Sequence, residues 1–585
     1  MDNKRFKDVA KPDGIPAAEE AIMEFWNRGK TFEESVSRHD GGPRFVFYEG
    51  PPTANGKPGV HHVLARLCKD IVCRYKAMTG HQVIRNAGWD THGLPVEIEV
   101  EKQLDISHKE EIEAYGIANF NAKCKESVFK YEKEWVRFTQ RIGYWLDLEN
   151  PYVTYTNDYI ETVWWILKKF WDKGLLYEGH KIVPFCPRCE TSLSSHEVSQ
   201  GYKDVDDPSV FIKFKKADSD DRFLVWTTTP WTLTANAALA VGPYIDYVRV
   251  AHEGETLILA EALLGVLDGE YEVLEKFRGE ELAGSSYEPL FPFFKDAENG
   301  FKVFAGDFVS LEDGTGIVHI APAFGEDDYK LHLNQGVPLL QPVTLQGTFT
   351  EDVEPWVGQW IKDADPHIIR ALKEAGKLYK SGRVTHSYPF CWRCSTALVY
   401  YARRSWYVKT TAFKDEMIAA NNKINWIPKE VGEHRFGNWL ENNVDWALSR
   451  ERYWGTPLPV WVCEKDDEHR LAVGSVEQLR ELGEDIPGDD ELDLHRPQVD
   501  DFMLKCPECD GRMRRVKEVI DAWFDSGSMP FSQYHYPFDE NKMFDGQFPA
   551  DFISEGIDQS RGWFYSMLAI STFLKGESSY KTCVV

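Results

Sequence analysis

The sequence predicts an α/β protein in which a Rossmann-type parallel-sheet domain is split by a large β-rich insertion. Two observations lead to this fold class. Residues 44–48 form a short apolar run that ends at a glycine- and proline-rich turn, and a helical pattern follows over 60–80. Further along, strand-like runs at 223–226, 247–250 and 317–320 alternate with turns that contain Gly and Asp. The first pattern is typical of a strand–turn–helix unit, and the second is typical of a separate β-rich domain.

The turn after residue 48 has the features of a phosphate site. Paired prolines at 51 and 52 end the strand, because proline cannot donate a ladder hydrogen bond. The next helix begins near His61 and His62, and a helix N-terminus offers unpaired N–H groups and a positive dipole end. The two histidines can also donate to phosphoryl oxygens. The turn therefore predicts a nucleotide-phosphate site that is not a Walker loop, although an ordinary Pro/Gly turn with surface histidines would look the same.

Composition limits the classes of function. The chain has 585 residues, too many for one hydrophobic core, so we expect roughly three or four domains. Apolar residues make up 43% and charged residues 28%, which is typical of a soluble globular protein. No uninterrupted apolar run reaches the length of a membrane span, and the charged start lacks a secretory signal, so we expect a cytoplasmic location. The net charge of −27 argues against a dedicated nucleic-acid-binding protein, although a large enzyme needs only a local basic surface.

Cysteine spacing predicts metal knuckles. Six of the 11 cysteines form three Cys-x-x-Cys pairs, which in an intracellular chain favour metal sites over disulfides. Two pairs, Cys186 with Cys189 and Cys391 with Cys394, bracket the β-rich insertion. Four thiolates make the closed tetrahedral set of a structural Zn²⁺, so the fold class includes zinc knuckles that clip together the strands bounding the insertion. Two unrelated buried pairs are the alternative.

The third pair, Cys506 and Cys509, has only Cys463 as a cysteine partner nearby. A fourth ligand could be His469 or an acidic residue, and the spacing does not decide between them. A second structural zinc and a knuckle that keeps its fold without metal are therefore both open at this point.

These patterns divide the chain into six regions. The regions are an N-terminal helical extension at 1–43, the first half of the Rossmann-type domain at 44–180, a zinc-knuckle stalk at 181–199 and 386–400, the inserted domain at 200–385, the second half of the Rossmann-type domain at 401–462 and 516–585, and a small inserted zinc-knuckle-like module at 463–515. Within the last region, 466–493 is acidic and rich in turn residues, which predicts a surface insertion.

A series of motifs resembles one enzyme family. In chain order the motifs are GPPTANG (50–56), the paired histidines that open a helix, GWDTHGLPVE (88–97), WTTTPWTL (226–233), GTGIVHIAPAFGEDD (314–328), SRERYWGTPLPVW (449–461), DAWFDSG (521–527) and SEGIDQSRGWF (554–564). Their spelling and order are similar to those of the isoleucyl-tRNA synthetases, in the valine/leucine/isoleucine group of class I aminoacyl-tRNA synthetases. The resemblance covers nearly all 585 residues. It implies a Rossmann-type catalytic domain with an inserted editing domain.

The first signature departs from the usual spelling of the family. The family has His-x-Gly-His, whereas this chain has Gly59, Val60, His61 and His62. The last histidine is kept, glycine replaces the first, and a histidine stands where the family has glycine. This spelling is similar to a variant in one branch of the isoleucyl family. The resemblance implies that Gly59, His61 and His62 form the catalytic signature, with His61 in the role of the first histidine.

The resemblance also implies the residues of an aminoacyl-adenylate site. The isoleucine pocket would be lined by Pro51, Asp90, Trp523 and Trp563, with Asp90 on the ammonium group. ATP and the adenylate would be bound by Thr53, Asn55, Glu555, Gly556, Asp558 and Gln559. Rigid tryptophan walls suit a branched aliphatic side chain. Without the resemblance, Asp90 would more often satisfy its own turn, and two of 20 tryptophans would more often be core residues.

A hydrolytic editing site is implied in the inserted domain. A pocket that fits isoleucine cannot strongly exclude valine, which lacks one methylene, and this family is the standard example of that limit. Thr227, Thr228 and Thr229 would position water and ribose. Asp328 would bind the ammonium group of misattached valine, and His319 would restrict the side-chain pocket. Alone, a threonine run is more often a strand, and a single histidine is more often a packing residue.

The resemblance thus implies ATP-dependent activation of isoleucine with Mg²⁺, attachment to tRNA(Ile), and editing of Val-tRNA(Ile), by a monomer without membrane association. The sequence has no Lys-Met-Ser-Lys-Ser element and no helical anticodon-binding domain, so we expect a truncated form with weak or absent adenylation and retained hydrolysis. A valyl-tRNA synthetase and a non-catalytic zinc-containing RNA-binding relative are the alternatives. The second is disfavoured because Asp90, Trp523, Trp563 and Glu555 are all present.

Overall fold

The computed structural model describes residues 14–53, 55–539 and 542–585, which fall into two compact units. The first unit contains the described residues up to Tyr177 together with Tyr407–Val585, and the second is Glu178–Trp406. Strands Leu176–Cys186 and Val399–Val408 lead the chain out of the first unit and back into it. None of the described helices has both the length and the apolar character needed to cross a membrane. The finer domain boundaries given above stay predictions.

A parallel sheet forms the centre of the first unit. Its members, in spatial order, are Asp147–Val153, Asn86–Trp89, 44–48, Ile553–Ser554, Thr582–Val584 and Asn425–Ile427. Segment 44–48 joins the two ladders on either side of it through single bridges to Gln82 and Phe552. Every neighbouring pair is parallel, and the first five have the order 3-2-1-4-5 when they are numbered along the chain. This is the order of a doubly wound Rossmann-type sheet, so the predicted fold class is confirmed. In such sheets a ligand binds beyond the carboxyl ends of the strands where the order reverses, here between 44–48 and Ile553–Ser554.

The central segment 44–48 is extended but forms no continuous ladder. It makes isolated parallel bridges on both sides, and Val46 N donates to Asp551 Oδ2 at 2.9 Å. Val46, Phe47 and Tyr48 are buried, as the apolar run predicts. The regular strand predicted here is thus irregular, because a side chain takes a backbone donor that a ladder would use.

Helices follow most strands of the first unit. Its α-helices are Ile15–Gly29, Thr31–Ser37, His61–Met78, Leu94–Leu104, Lys109–Tyr115, Ile117–Ser127, Glu132–Arg141, Asn157–Asp172, Lys414–Asn421, Gly437–Glu441, Val476–Leu482, Ala522–Gly527, Met529–Ser532 and Trp563–Lys575. Shorter elements are the 3-10 helices Thr410–Phe413, Gln498–Asp501 and Ile557–Arg561, the π-helix Val431–Phe436 and the strands Trp446–Ala447, Ser449–Arg450 and Val519–Ile520. The helix His61–Met78 begins where the phosphate turn ends, as the sequence predicts.

A small antiparallel sheet also belongs to the first unit. Its strands, in spatial order, are Arg470–Ala472, Val460–Cys463, Arg512–Arg515 and Leu504–Lys505. The sheet packs on the helix Asn157–Asp172, where the rings of Trp164 and Trp461 meet edge to face with centroids 6.0 Å apart. This contact anchors the small module predicted at 463–515 to the body of the unit.

The second unit is built on a nine-stranded sheet. Seven strands follow the spatial order Glu272–Arg278, Asp246–His252, Glu255–Ala260, Asp221–Thr227, Ile317–Ile320, Ala238–Val241 and Lys302–Ala305. Strand Tyr202–Lys215 pairs with Asp221–Thr227, and Leu378–Pro389 pairs with Tyr202–Lys215. The three strand-like runs singled out in the sequence each lie in one of these strands. The remaining elements of the unit are Thr191–Ser192, Ser195–Val198, Pro230–Ala235, Glu261–Val266, Gly279–Leu282, Glu326–Gln335, Glu351–Trp356 and Ile361–Glu374.

Candidate functional site

His62 stands at the first turn of the helix that follows the phosphate turn. Gly59 N donates to His62 Nδ1 at 2.9 Å, and the same ring nitrogen lies 3.2 Å from Gly59 O. Because the donor of the shorter contact is a backbone N–H, which can only donate, we assign Nδ1 as the acceptor and the proton of the neutral ring to Nε2. The ring packs against Trp135 with centroids 4.8 Å apart, and Trp135 Nε1 donates to Gly56 O at 2.7 Å. Burial and the neighbouring His61 lower the pKa of His62. His62 is therefore a neutral ring whose Nε2–H is free to donate to a ligand oxygen.

His61 lies over the α-carbon of Gly59. A Cβ built on Gly59 would be 2.5 Å from His61 Cε1 and 2.7 Å from Nδ1, so no side chain fits there unless the ring moves. The ring centroids of His61 and His62 are 3.9 Å apart. This chain has glycine at 59 and histidine at 61, and the His61 imidazole lies where a side chain on residue 59 would begin.

A buried lysine links the two strands that flank the switch point. Lys69 Nζ lies 2.9 Å from Glu49 Oε2 and 2.6 Å from Glu555 Oε1. Tyr144 OH donates to Glu49 Oε2 at 2.5 Å. Burial alone would lower the pKa of Lys69, but the two carboxylates hold that pKa above its ordinary value. Burial raises the pKa of Glu555, and Glu49 raises it further.

Sequence reasoning missed Lys69 and Glu49. The apolar pattern of this helix gave no signal for Lys69, because its apolar positions, among them Leu64 and Ile71, are exposed and Lys69 lies on a different face that is buried. Its partners could not be read from the sequence, because Glu555 lies 486 residues away. A Cβ on Gly50 would be 2.5 Å from Glu555 Oε1, so the turn passes directly beside this carboxylate.

Two of the four predicted pocket residues, Asp90 and Trp563, meet through Ser526. Ser526 Oγ donates to Asp90 Oδ2 at 2.5 Å, and Trp563 Nε1 donates to Ser526 O at 3.1 Å. Asp90 N donates to Pro52 O at 3.1 Å, which ties the Asp90 loop to the phosphate turn that also holds Pro51. Trp523 lies in the first turn of the helix that bears Ser526, beside the backbone just before Trp563. Ser526 itself was not predicted as a site residue.

The predicted adenylate residues cluster after strand Ile553–Ser554. Gln559 Nε2 donates to Asp558 Oδ2 at 2.9 Å, and Gln559 Oε1 accepts from Trp563 N at 3.1 Å. A Cβ on Gly556 would be 2.4 Å from Asp558 Oδ1, so only glycine fits that position as it stands. On the other side of the turn, Asn55 Nδ2 donates to Pro95 O at 2.7 Å, and Thr53 is half-buried.

The second unit contains a chain of hydroxyls that ends on His319. Thr227 Oγ1 lies 3.2 Å from Thr229 Oγ1, and Thr229 Oγ1 lies 3.0 Å from Thr232 Oγ1. Thr232 Oγ1 is 3.0 Å from His319 Nε2. Asn236 Nδ2 lies 2.9 Å from His319 Nδ1. The sequence-predicted residues at 227, 229 and 319 are thus joined through two residues that sequence reasoning missed, Thr232 and Asn236.

The protonation of His319 follows from its partners. Asn236 Nδ2 also donates to Ala238 O at 2.9 Å, and Asn236 Oδ1 accepts from Tyr287 OH at 2.6 Å, so the amide orientation is fixed. His319 Nδ1 therefore accepts, and its Nε2–H donates to Thr232. Burial lowers the pKa of His319 to about 3, which keeps the ring neutral.

Asp328 lies in the first turn of the helix Glu326–Gln335. Asp328 Oδ2 accepts from Ala321 N at 2.7 Å, just after strand Ile317–Ile320. Burial raises the pKa of Asp328 to about 6. Within the described part of the chain, no hydrogen bond joins Asp328 or the half-buried Thr228 to the hydroxyl chain, although both were predicted for the same site.

The four cysteines that bracket the insertion come together. The sulfurs of Cys186, Cys189, Cys391 and Cys394 all lie within 4.8 Å of one another, with Cys186 and Cys394 at 3.4 Å. A tetrahedral Zn²⁺ with Zn–S bonds of about 2.3 Å needs sulfurs a little under 4 Å apart. Three of the four cysteines are buried. The donor set therefore fits a structural zinc ion.

A second group of ligands forms at the small module. The fourth member beside Cys463, Cys506 and Cys509 is His469, and the ligand atoms lie within 4.8 Å of one another. Cys463 and Cys509 are 3.6 Å apart, and His469 Nδ1 is 3.7 Å from Cys506 Sγ. Of the two ligand types left open by the sequence, the histidine is the one that fits. Three thiolates and one imidazole are a common structural zinc set.

Comparison with known proteins identifies one family. A model of the tRNA synthetases class I (I, L, M and V) matches residues 21–585. The isoleucine–tRNA ligase of Clostridium kluyveri is 54% identical over 580 residues, which are 99% of this chain and 56% of that protein. The isoleucine–tRNA ligase of Bacillus thuringiensis (strain Al Hakam) is 53% identical over 578 residues, which are 98% and 56%. The chain thus spans about half the length of the curated relatives it matches. Among solved structures, a match is the ternary complex of Agrobacterium radiobacter K84 agnB2 LeuRS with tRNA and LeuAMS, at 16% sequence identity and a TM-score of 0.43. The match covers 97% of this chain and 66% of the LeuRS chain.

Proposed function

This chain belongs to the class I tRNA synthetases of the I, L, M and V group, and we propose that it carries the site at which isoleucine is activated with ATP for transfer to tRNA(Ile). The observation that carries the proposal is the group formed by Asp90, Ser526 and Trp563 beside the phosphate turn. A carboxylate beside aromatic walls suits an amino acid with an apolar side chain, and the switch point of the sheet suits a nucleotide. The names of the most similar relatives favour isoleucine as that amino acid.

The chemistry follows from the positions of these groups. Asp90 holds the ammonium group, and the indoles of Trp523 and Trp563 hold the branched side chain. The substrate carboxylate attacks the α-phosphorus of ATP in line, an O–P bond forms, and the bond to the β-phosphate oxygen breaks as pyrophosphate leaves. His62 Nε2–H and the ring of His61 donate to phosphoryl oxygens as their charge grows. Positioning supplies most of the rate, and Mg²⁺, when bound, neutralises phosphate charge.

The second unit is proposed to hydrolyse valine that is wrongly attached to tRNA(Ile). The hydroxyl chain at 227, 229 and 232 would orient water and the terminal ribose. His319 is fixed as a neutral ring by Asn236 and would narrow the pocket against the larger side chain. Asp328, once ionised, would bind the ammonium group.

The two ligand groups are proposed as structural zinc sites. The four-cysteine set would hold both ends of the insertion together, and the Cys₃His set would hold the small module. Neither group lies among the proposed reacting residues, so zinc would contribute to folding rather than to catalysis. The same proposal takes tRNA(Ile), L-isoleucine and ATP as partners of a cytoplasmic monomer.

Non-hydrolysable aminoacyl-sulfamoyl adenosines test the assignment directly. The purified chain is titrated calorimetrically with the isoleucyl and the valyl compound. We expect the isoleucyl compound to bind about 10- to 200-fold more tightly, as one methylene in an apolar pocket allows. Asp90→Ala should abolish binding of both compounds, because the buried pocket then offers the ammonium group no counter-charge.

Each other outcome has its own meaning. Tighter binding of the valyl compound would replace the assignment by a valyl-tRNA synthetase. If neither compound binds while the chain melts cooperatively, the non-catalytic RNA-binding alternative gains support and the proposed activity is wrong.

A further inference from the structure

A chain of four side chains runs from the interior of the first unit to its surface. His92 Nδ1 lies 3.1 Å from Asp525 Oδ2, and His92 Nε2 lies 2.9 Å from His495 Nε2. His495 Nδ1 in turn lies 2.5 Å from Asp493 Oδ1. The side chains of His92 and Asp525 are fully buried, whereas that of Asp493 is 45% exposed. None of these four residues belongs to the proposed substrate contacts.

The buried end of the chain lies next to the amino-acid pocket. His92 follows Asp90 by two residues, and Asp525 directly precedes Ser526. Ser526 Oγ donates to Asp90 Oδ2 at 2.5 Å, so the Asp90 loop and the helix Ala522–Gly527 are joined at two points. One hydrogen bond would leave the two segments free to rotate about it, whereas two bonds fix both their separation and their orientation.

The direction of the hydrogen bonds follows from the exposed end inwards. The hydrogen bond from His495 keeps the pKa of Asp493 below its ordinary value despite partial burial, so Asp493 is ionised and His495 carries its proton on Nδ1. Burial lowers the pKa of His495, and it lowers that of His92 to about 3, so both rings are neutral. His495 Nε2 therefore accepts, His92 Nε2–H donates to it, and His92 Nδ1 needs a donor.

Asp525 is the group that can supply this donor. Thr456 Oγ1 lies 3.4 Å from His92 Nδ1, beyond the usual length of an O–H donor bond. Burial raises the pKa of Asp525 well above its ordinary value, and a hydrogen bond from Thr456 offsets this only in part. Asp525 Oδ1 has no hydrogen-bond partner among the described residues, which a neutral carbonyl oxygen tolerates better than a carboxylate does. The other charges facing the chain are already paired: Asp521 with Arg450 at 2.7 Å, and Lys125 with Asp493 at 3.8 Å.

We propose that Asp525 and His92 are positioning residues of the amino-acid pocket. The protonated Asp525 carboxyl donates to His92 Nδ1, and the hydrogen bonds continue through His495 to Asp493. Together these bonds hold Asp90 and Ser526 in the positions that the substrate ammonium group requires. This role rests on the proposed isoleucine activation. It assigns a binding function to a carboxyl group that never touches the substrate.

The test compares Asp525→Ala with Asp525→Asn in the full 585-residue chain. The amide of Asn keeps a donor towards His92 Nδ1, whereas Ala removes it. We expect the dissociation constant for L-isoleucine to rise about tenfold or more in Asp525→Ala and to return to within about twofold of wild type in Asp525→Asn. ATP affinity should be unchanged in both, which separates mispositioning from unfolding. His252→Asn is the matched control, because His252 is equally buried and doubly hydrogen-bonded but lies in the second unit.

Two results would overturn the role. Unchanged isoleucine affinity in Asp525→Ala would show that the contact does not position Asp90. Equal losses in the Ala and Asn variants would show that a hydrogen bond between residue 525 and His92 does not position the pocket, because the Asn amide can still form that bond.

Spectra of ¹⁵N-histidine-labelled protein provide a readout that needs no substrate. They should show His92 neutral with its proton on Nε2 in wild type and in Asp525→Asn, and an imidazolium at His92 would contradict the proposal. If wild type fails to bind isoleucine, the proposed function and the positioning role fall together. The spectra then still decide whether Asp525 donates to His92, His92 donates to His495, and His495 donates to Asp493.

Discussion

The imidazole of His61 occupies the space where a side chain on Gly59 would begin, with 2.5 Å between His61 Cε1 and the position of a Cβ at 59. The two residues are therefore coupled, because the His61 ring can take this position only when residue 59 has no side chain. A histidine at 59 and a histidine at 61 cannot both keep their positions, whereas exchange of the two residue types preserves one ring at this place. The unusual signature thus keeps an imidazole ring beside residue 59.

The first prediction concerns this pair. Gly59→Ala should weaken binding of the isoleucyl-sulfamoyl adenosine by about tenfold or more, because the methyl group displaces the His61 ring that we propose as a phosphoryl donor. Gly56→Ala in the same turn is the matched control, since a Cβ there meets nothing within 4 Å. Calorimetric titration of the two variants measures the difference. Equal affinities for the two variants would mean that the His61 ring plays no part in binding.

The second prediction concerns Lys69. Lys69→Met should destabilise the first unit by about 3–5 kcal/mol, because it removes the cation that the buried carboxylates of Glu49 and Glu555 share, and the Arg66 guanidinium, 3.7 Å from Glu49, does not replace it at Glu555. Urea denaturation followed by tryptophan fluorescence measures the change. Lys123→Met makes the same substitution in an exposed ion pair and should leave the transition in place. A Lys69→Met transition at the wild-type position would contradict the role of the buried cation.

The third prediction concerns the pH dependence of editing. Burial raises the pKa of Asp328 to about 6, so this carboxyl is protonated below that pH and ionised above it. Hydrolysis of Val-tRNA(Ile) should therefore rise with pH through a midpoint near 6 and fall as the pH is lowered. His319, with a pKa of about 3, stays neutral over this range and adds no second step. Rates measured from pH 5 to 8 should lose the step in Asp328→Asn, and an unchanged profile would rule out Asp328 as the ammonium site.

The fourth prediction concerns the metal content. Elemental analysis of the purified chain should find two zinc ions per molecule, one in each ligand group. His469→Ala should lose one of them, and Cys186→Ser should lose the other and lower the melting temperature of the second unit. His367→Ala removes an exposed histidine outside both groups and should keep both ions. If the wild-type chain contains one zinc ion and His469→Ala still contains one, the ligand group of the small module binds no metal.

The sequence predicted those parts of the site that depend on local order. The turn from Gly50 to Gly59 follows from proline and glycine at a strand end, and the helix His61–Met78 follows from the apolar period. Cysteine spacing was sufficient to predict the four-cysteine group, because two Cys-x-x-Cys pairs already supply all four ligands of a structural zinc site.

The contacts made across long stretches of chain could not be predicted. The partners of Lys69, the amide that fixes His319 and the fourth ligand His469 all depend on which loops meet in three dimensions. The strand predicted at 44–48 is extended and buried as expected, but the side chain of Asp551, 505 residues away, takes the place of one ladder bond. No pattern within a window of residues contains that information.

The 505-residue separation between Val46 and Asp551 determines how long after Val46 its partner is made during synthesis. A ribosome that adds about 5–20 residues per second needs roughly 25–100 s to travel between them. During that time the whole second unit is translated and is free to fold, while one edge of the strand at 44–48 has no neighbour. A growing chain with an unpaired apolar strand edge is prone to association with other chains. One edge of this central segment therefore stays without its native neighbour until the last part of the chain has been made.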